Sequence, residues 1–447
     1  MLTKVNRHHT ALTLCKSIVL AASVLSTPAL AQTQDQPLSA QESDPIEMGW
    51  MQGFPPPDDR LLKIGSPDFF QFPALRYSVC HMRQFMPTIP VSRDLKPMTP
   101  FEYAIDEQIS DITFKPWGAD TTMTLEQTLQ KTYTDGILVL HDGEVVYEHY
   151  FGCLTEEGQH AAMSVTKSFT GTLASILVAE GKLNPQAKVG SIIPELEESG
   201  FGDATVRQVM DMTTALKYDE DYSDPNSEIW IYSKAANPYT RLQGYDGPVG
   251  YFEYLQTVEK NGTHGEAFGY RTINADALGW IISRVTGKSV NQLLSDRIWS
   301  KLGMEQSAYY QVDAHGIPFS GGGLSAGLRD MARFGQLILN EGRWHGEQII
   351  PQEAVADIRQ GGSQEAFKKS GHPKLKGWSY RNMWWITHNA DGAFAARGVH
   401  GQTIYIDPTA NMVIVRFASH PVAANSANDP ISLPAYQAVA DYLKGGK

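Results

Sequence analysis

The chain has 447 residues, 42% of them hydrophobic and 19% charged. That describes a folded protein with a sizeable core and excludes a disordered one. Its formal charge of −12 has the wrong sign for gripping phosphate backbones, so no nucleic-acid partner is expected.

The first 31 residues read as a secretory signal peptide. MLTKVNRHHTALTLCK is basic, SIVLAASVLSTP is apolar, and ALA precedes Gln32, with cleavage expected after Ala31. A membrane anchor is the competing reading, but the apolar run is too short to span a bilayer comfortably. Cys15 precedes that run, unlike a lipoprotein cysteine. Removal takes Lys4, Arg7 and Lys16 and leaves the mature chain at −15. No later stretch offers about 18 uninterrupted apolar residues, so no membrane span is expected after removal. The implied location is periplasmic or secreted. Cys80 and Cys153 remain, and an exported chain can join them, although two buried free thiols fit as well. No Cys or His spacing suits zinc, and neither a metal nor a cofactor is expected.

Residues 32–60 are polar and proline-rich, ending in GFPPPDD, and read as a loose leader or surface wrap. The leader and wrap are assigned to 32–100 and the folded domain to 101–447. GILVLHDGEVVYEHYF (136–151) is two β-rich runs around Asp142-Gly143, a hairpin signal. A helix is expected from Ser164 to Gly181, and another over 203–216. The segment 217–255 is rich in Tyr, Trp, Pro and Gly and too irregular for one element. An amphipathic helix is expected over 275–287. NMWWITHN, GQTIYIDP and NMVIVRFAS read as strands, and LPAYQAVADYLKG as a final helix. Strands at both ends with helices between them predict an α/β fold of the α+β type. One antiparallel sheet is built from the two chain ends and flanked by helices, with a mainly helical lobe, roughly 182–300, inserted.

Ser164 and Lys167 stand three apart at the start of the apolar helix, and such positions share a helix face. A serine hydroxyl is a weak nucleophile until a base takes its proton. A lysine is that base only when neutral, which burial favours. The helix start adds free N–H groups that favour negative charge at the serine. Alone, S-x-x-K is a weak signal and reads rather as a helix-start serine with an exposed lysine. GLSAG (323–327) matches the nucleophile-elbow pattern, but SGGG ahead of it is no central strand. Ser325 is therefore read as a residue just before a helix, and the match as a decoy.

SVTK, YRTIN (270–274) and ARGVHGQ (396–402), in that order, resemble the three motifs of the serine β-lactamase, penicillin-binding-protein and esterase superfamily, on its class C side. GGGLSAGLRDMARFG resembles its glycine-rich segment and following helix. Within it, DEDYSDPNSE and the lead-in FPALRYSVCHMRQFMPTIPVSR are similar to the nylon-oligomer hydrolases. The resemblance implies that Ser164 attacks and is acylated. Lys167 helps remove its proton, and Tyr270 shares that proton and passes it to the leaving group. A nearby lysine ammonium would make that phenol more acidic. It implies an oxyanion hole from the N–H groups of Ser164 and Val399, and Asn274 facing the site; a helix cap is the other reading of Asn274. The third motif departs from the pattern, with Ala396 where a cation usually grips a substrate carboxylate. Arg397 or His400 would supply that charge, or both lie on the surface. Segment 217–255 would cover the site, with Tyr222, Trp230, Tyr232 and Tyr245 as walls or as core packing. Tyr222 matches a tyrosine that contacts the scissile amide nitrogen, and Ser233 replaces an acidic residue used for a substrate amino group. DEDYSD lacks the glycine turn of a calcium loop and reads as solvated.

The expected activity is hydrolysis of small carboxylic esters or linear amides of the 6-aminohexanoate-oligomer type. A class C-type β-lactamase or D-alanyl carboxypeptidase is the second reading, and a non-catalytic pseudoenzyme that binds cell-wall fragments the third.

Overall fold

The computed structural model of the protein describes residues 36–445. The signal peptide read in residues 1–31 lies outside them. Among the described residues no helix is long and apolar enough to cross a membrane.

Asp142 and Gly143 both take positive φ, 52° and 88°. That two-residue turn matches the twist of a hairpin, and it joins strands Thr134–His141 and Glu144–Tyr150. The hairpin forms one edge of a seven-stranded sheet. Beyond it, in order, lie Met412–Ala418, Gln402–Asp407, Phe394–Gly398, Trp384–Ile386 and Ser379–Arg381. All neighbours are antiparallel. The sheet is thus built from the two ends of the domain, as the sequence predicts. Alternation puts Ile404 and Tyr405 on opposite faces. A Cβ on Gly335 would stand 3.1 Å from Ile404 Cγ2, so helix Leu328–Leu339 covers one face. Tyr405 meets Tyr436 at 5.4 Å between ring centroids, so helix Asp429–Lys444 covers the other.

Helix Val165–Ala179 is buried from Val165 to Leu177. Its hydroxyls tolerate this because they bond carbonyls one turn back. Thr172 donates to Ser168 O at 2.7 Å and Ser175 to Gly171 O at 2.8 Å. Phe169 stacks on Phe334 with centroids 3.8 Å apart. Trp384 Nε1 donates to Thr172 Oγ1 at 3.2 Å, and a Cβ on Gly171 would lie 2.0 Å from Asn382 O. The absent side chain lets the helix press against the sheet.

Residues 182–300 carry helices and no strand among the described residues. Helix Ile273–Thr286 ends at Gly287 in the left-handed region, as its sequence predicts. The helix expected over 203–216 is shorter, Val206–Met210. A capping box from Thr205 and Gln208 starts it. Met212, at φ 52°, ends it, and Leu216 then bridges to Lys260. Segment 217–255 contains helix Glu228–Ala236 and the start of helix Tyr251–Thr257.

The N-terminal wrap is pinned. Arg76, 2% exposed, donates to Ala40 O and Ser43 Oγ and pairs with Asp135 at 3.4 Å. Strand Thr88–Val91 pairs with Ala308–Gln311 in a second sheet, which continues through Leu324–Ala326 to His160–Ala161. Ser325 is therefore a fully buried residue of an inner strand, not merely a residue before a helix. Cys80 and Cys153 form a disulfide, with Cα atoms 6.0 Å apart.

Candidate active site

Strand His160–Ala161 turns into helix Val165–Ala179 through Met163, at φ 46°. A bulky residue in that region is strained. Ser164 thus stands at a strand–turn–helix junction, whereas Ser325 lies within strand Leu324–Ala326, ahead of the turn into helix Leu328–Leu339. Lys167 Nζ lies 2.8 Å from Ser164 Oγ and donates to Gly321 O at 2.6 Å. Ser164 is 7% exposed and Lys167 1%. Burial pushes the amine below the ordinary lysine value, and the charges of Glu220 and Asp276 pull it back up. Tyr270 faces Ser164, and Lys167 Nζ lies 5.1 Å from its ring centroid. The three residues read from the sequence meet at one point. The expectation of a more acidic phenol is corrected. Burial and Glu220 hold the Tyr270 hydroxyl well above its usual value, so it stays protonated.

Strand Phe394–Gly398 runs against Ser164. A Cβ on Gly398 would sit 2.8 Å from Ala162 O and 2.9 Å from Ser164 N. The N–H groups of Ser164 and Val399 donate to no acceptor among the described residues. They are free to meet a ligand oxygen.

A cavity of about 670 Å³ opens in front, with Tyr222, Tyr270, Trp385, Arg397 and Val399 in its wall. Ser164 and Lys167 do not line it themselves, but Gly398, which packs on Ser164 N, and Tyr270, whose ring lies by Lys167, do. Glu220 also lines it, and the sequence reading missed it. Its carboxylate accepts the hydroxyl of Tyr222 and both the N–H and hydroxyl of Thr272, each at 2.6 Å. The DEDYSD run is therefore not simply solvated. An acidic residue two places from a wall tyrosine was the available signal.

Other expectations are corrected. Asn274 is fully buried, accepts from Thr214 Oγ1 at 2.7 Å and donates to Arg271 O at 3.2 Å, so it faces the fold rather than the cavity. His400 is buried behind the wall, its Nδ1 2.7 Å from His420 O, and burial pushes its imidazole down to about 4. It is neutral and offers no charge. Arg397 is in the wall, but its guanidinium pairs with Asp429 and lies 5.1 Å from the Trp385 ring centroid. Ala396 is fully buried in its strand. Of the four aromatic residues expected as walls, Tyr222 alone lines the cavity. Tyr232 is core, donating to Asp276 at 2.5 Å, and Trp230 packs edge-on to Tyr222. Ser233 is exposed outside the cavity.

The β-lactamase family profile matches residues 124–433. The 6-aminohexanoate-dimer hydrolase of Paenarthrobacter ureafaciens is 36% identical over 350 residues, 78% of this chain and 86% of that one. A structure described as a candidate 6-aminohexanoate-dimer hydrolase from Bacillus anthracis superposes with a TM-score of 0.77 at 33% identity, over 87% of this chain and 99% of that chain. EstCE1, a hydrolase with promiscuous acyltransferase activity, shares the fold at 16% identity, with a TM-score of 0.53 over 72% of this chain and 96% of its own.

Proposed function

Because the chain belongs to the β-lactamase family, we propose that it is an exported serine hydrolase of carboxylic esters and linear amides, the 6-aminohexanoate-oligomer type among them, acting through an acyl-enzyme on Ser164. The observation that carries this reading is the buried 2.8 Å contact between Ser164 Oγ and Lys167 Nζ. Neutral Lys167 takes the Ser164 proton as the oxygen attacks the carbonyl carbon. The N–H groups of Ser164 and Val399 meet the charge that builds on the carbonyl oxygen. Tyr270, kept protonated, donates to the departing alcohol or amine and recovers a proton from Lys167. Water then releases the acid from Ser164 by the same groups in reverse. Tyr222 contacts the scissile nitrogen of an amide. Asn274 and His400 have no part in these steps.

Substrate preference follows from the wall. The carboxylate of a β-lactam needs a fixed cation when it is desolvated. Ala396 cannot supply one, and Asp429 already neutralises Arg397. A short acyl ester carries no such charge. Arg397 is also the observation that favours the second reading, a β-lactamase or carboxypeptidase, since it is a cation in the wall. Export is supported by the layout of residues 1–31 and by the Cys80–Cys153 bond, which suits an oxidising compartment.

The test compares kcat/KM of the mature protein for p-nitrophenyl butyrate, a linear 6-aminohexanoate oligomer and nitrocefin. Ester and amide are expected to exceed nitrocefin. Faster nitrocefin turnover would promote the second reading. No turnover, together with no fluorophosphonate label on Ser164, would leave a binding protein.

A further inference from the structure

Asp276 lies outside the cavity wall on helix Ile273–Thr286 and is 1% exposed. Its Oδ2 accepts the Tyr232 hydroxyl at 2.5 Å and its Oδ1 the Ser320 N–H at 2.9 Å. A Cβ on Gly321 would stand 3.0 Å from Asp276 Oδ2 and 2.6 Å from Thr272 Cγ2. Gly321 is therefore wedged against this carboxylate with no space for a side chain. The carbonyl of the same glycine receives the Lys167 amine at 2.6 Å. One peptide separates the buried acid from the buried amine.

We propose that Asp276 is the positioning residue of Lys167: its carboxylate fixes the Ser320–Gly321 backbone so that the Gly321 carbonyl holds the amine, and its negative charge sets how basic that amine is. The proposal rests on the reading of Lys167 as the base for Ser164. Burial alone would favour the neutral amine so strongly that it would be a poor proton acceptor. A nearby negative charge restores proton affinity. Asp276 and Glu220 are the charged groups facing Lys167, with Tyr270 beside them. Around Asp276 stand the phenols of Tyr218, Tyr232, Tyr251 and Tyr310, all held neutral by burial. Burial raises the Asp276 carboxyl to about 7 against the Tyr232 hydroxyl, the Lys167 amine and the Ser320 N–H, which lower it, so it is charged in the range near 8 where Lys167 loses its proton.

The sign of the effect is fixed. Lys167 works when neutral, so activity falls as pH drops through its pKa. Removing the Asp276 charge makes Lys167 less basic, so the acid limb of activity moves to lower pH. In Asp276→Asn the acid limb of kcat/KM for p-nitrophenyl butyrate is expected to move down by about one pH unit, with a lower plateau. Tyr232→Phe, which removes a donor that stabilises the Asp276 charge, is expected to move it the same way by less. A folded Asp276→Asn whose rate falls equally at every pH, with the limb unmoved, overturns the proposal. If Asp276→Asn does not fold, an unmoved limb in Tyr232→Phe does so. A Lys167→Met enzyme with the wild-type rate instead sinks the assignment of the base itself, and this proposal with it.

Discussion

Ser164 and Ser325 show how differently one residue type fares in two settings. Both are buried, and both sit in a short motif that fits a nucleophile. Ser164 has an amine at 2.8 Å and a cavity beside it, whereas Ser325 is locked in an inner strand opposite Tyr309 and Ala161. Fluorophosphonate labelling should vanish in Ser164→Ala and persist in Ser325→Ala; the reverse pattern in two folded variants would refute the assignment. His400 carries a second prediction. Its folded value of about 4 lies below the ordinary 6.5, so the folded state prefers the neutral ring. Its contribution is full above pH 6.5 and is lost as pH falls from there toward about 4, where the unfolded chain binds a proton that the folded one refuses. The loss is on the order of 3 kcal/mol. His400→Asn tolerates the left-handed backbone there and retains an N–H for His420 O. Urea midpoints followed against pH should decline less steeply in that range than for the wild type.

At the scale of elements, the helix behind Ser164 is positioned by what it lacks. Gly171 admits the backbone of Asn382, and Ser168 Oγ donates to Met383 O at 2.7 Å. In an exposed helix, exchanging Gly for Ala stabilises by about 1 kcal/mol. Here a Cβ would meet a backbone oxygen at 2.0 Å. Gly171→Ala is expected to destabilise by about 1–3 kcal/mol, the usual result of overpacking, seen as a lower denaturant midpoint. A midpoint at or above the wild-type value would mean that the helix and sheet edge move apart freely. The neighbouring irregular segment works differently. Glu220 ties it to Thr272, the residue ahead of helix Ile273–Thr286, so the cavity wall and the Tyr270 turn are one hydrogen-bonded unit.

Over the whole molecule, the chain ahead of the hairpin is fastened by strand Thr88–Val91, by Arg76 and by a disulfide. Arg76 gathers Ala40, Ser43, Asp135 and Ser419 around one buried guanidinium. The Cys80–Cys153 disulfide spans 73 residues. A cross-link over such a loop stabilises mainly by restricting the unfolded chain, typically by about 2–4 kcal/mol. Reduction should therefore lower the thermal midpoint by several degrees without abolishing ester turnover at low temperature. An unchanged midpoint with two free thiols counted would show that the bond restrains little.

The sequence by itself determined the elements with strong local signals. The Asp142-Gly143 turn, the apolar run after Ser164, the Gly287 stop and the last strands are short-range patterns, and each lies where they predict. Motif order also groups Ser164, Lys167 and Tyr270, and the fold places Lys167 against both of the others. Tertiary structure alone decided the rest, because burial and partners come from residues far along the chain. Asn274 turns inward since Thr214 lies opposite it, and Arg397 is spent on Asp429. Helix Val206–Met210 ends early at Met212, whose backbone turns left-handed where the pattern reads as continuous helix. Glu220 and Asp276 gained their place near Lys167 only when three distant segments packed around one buried amine, where charge is no longer screened by water.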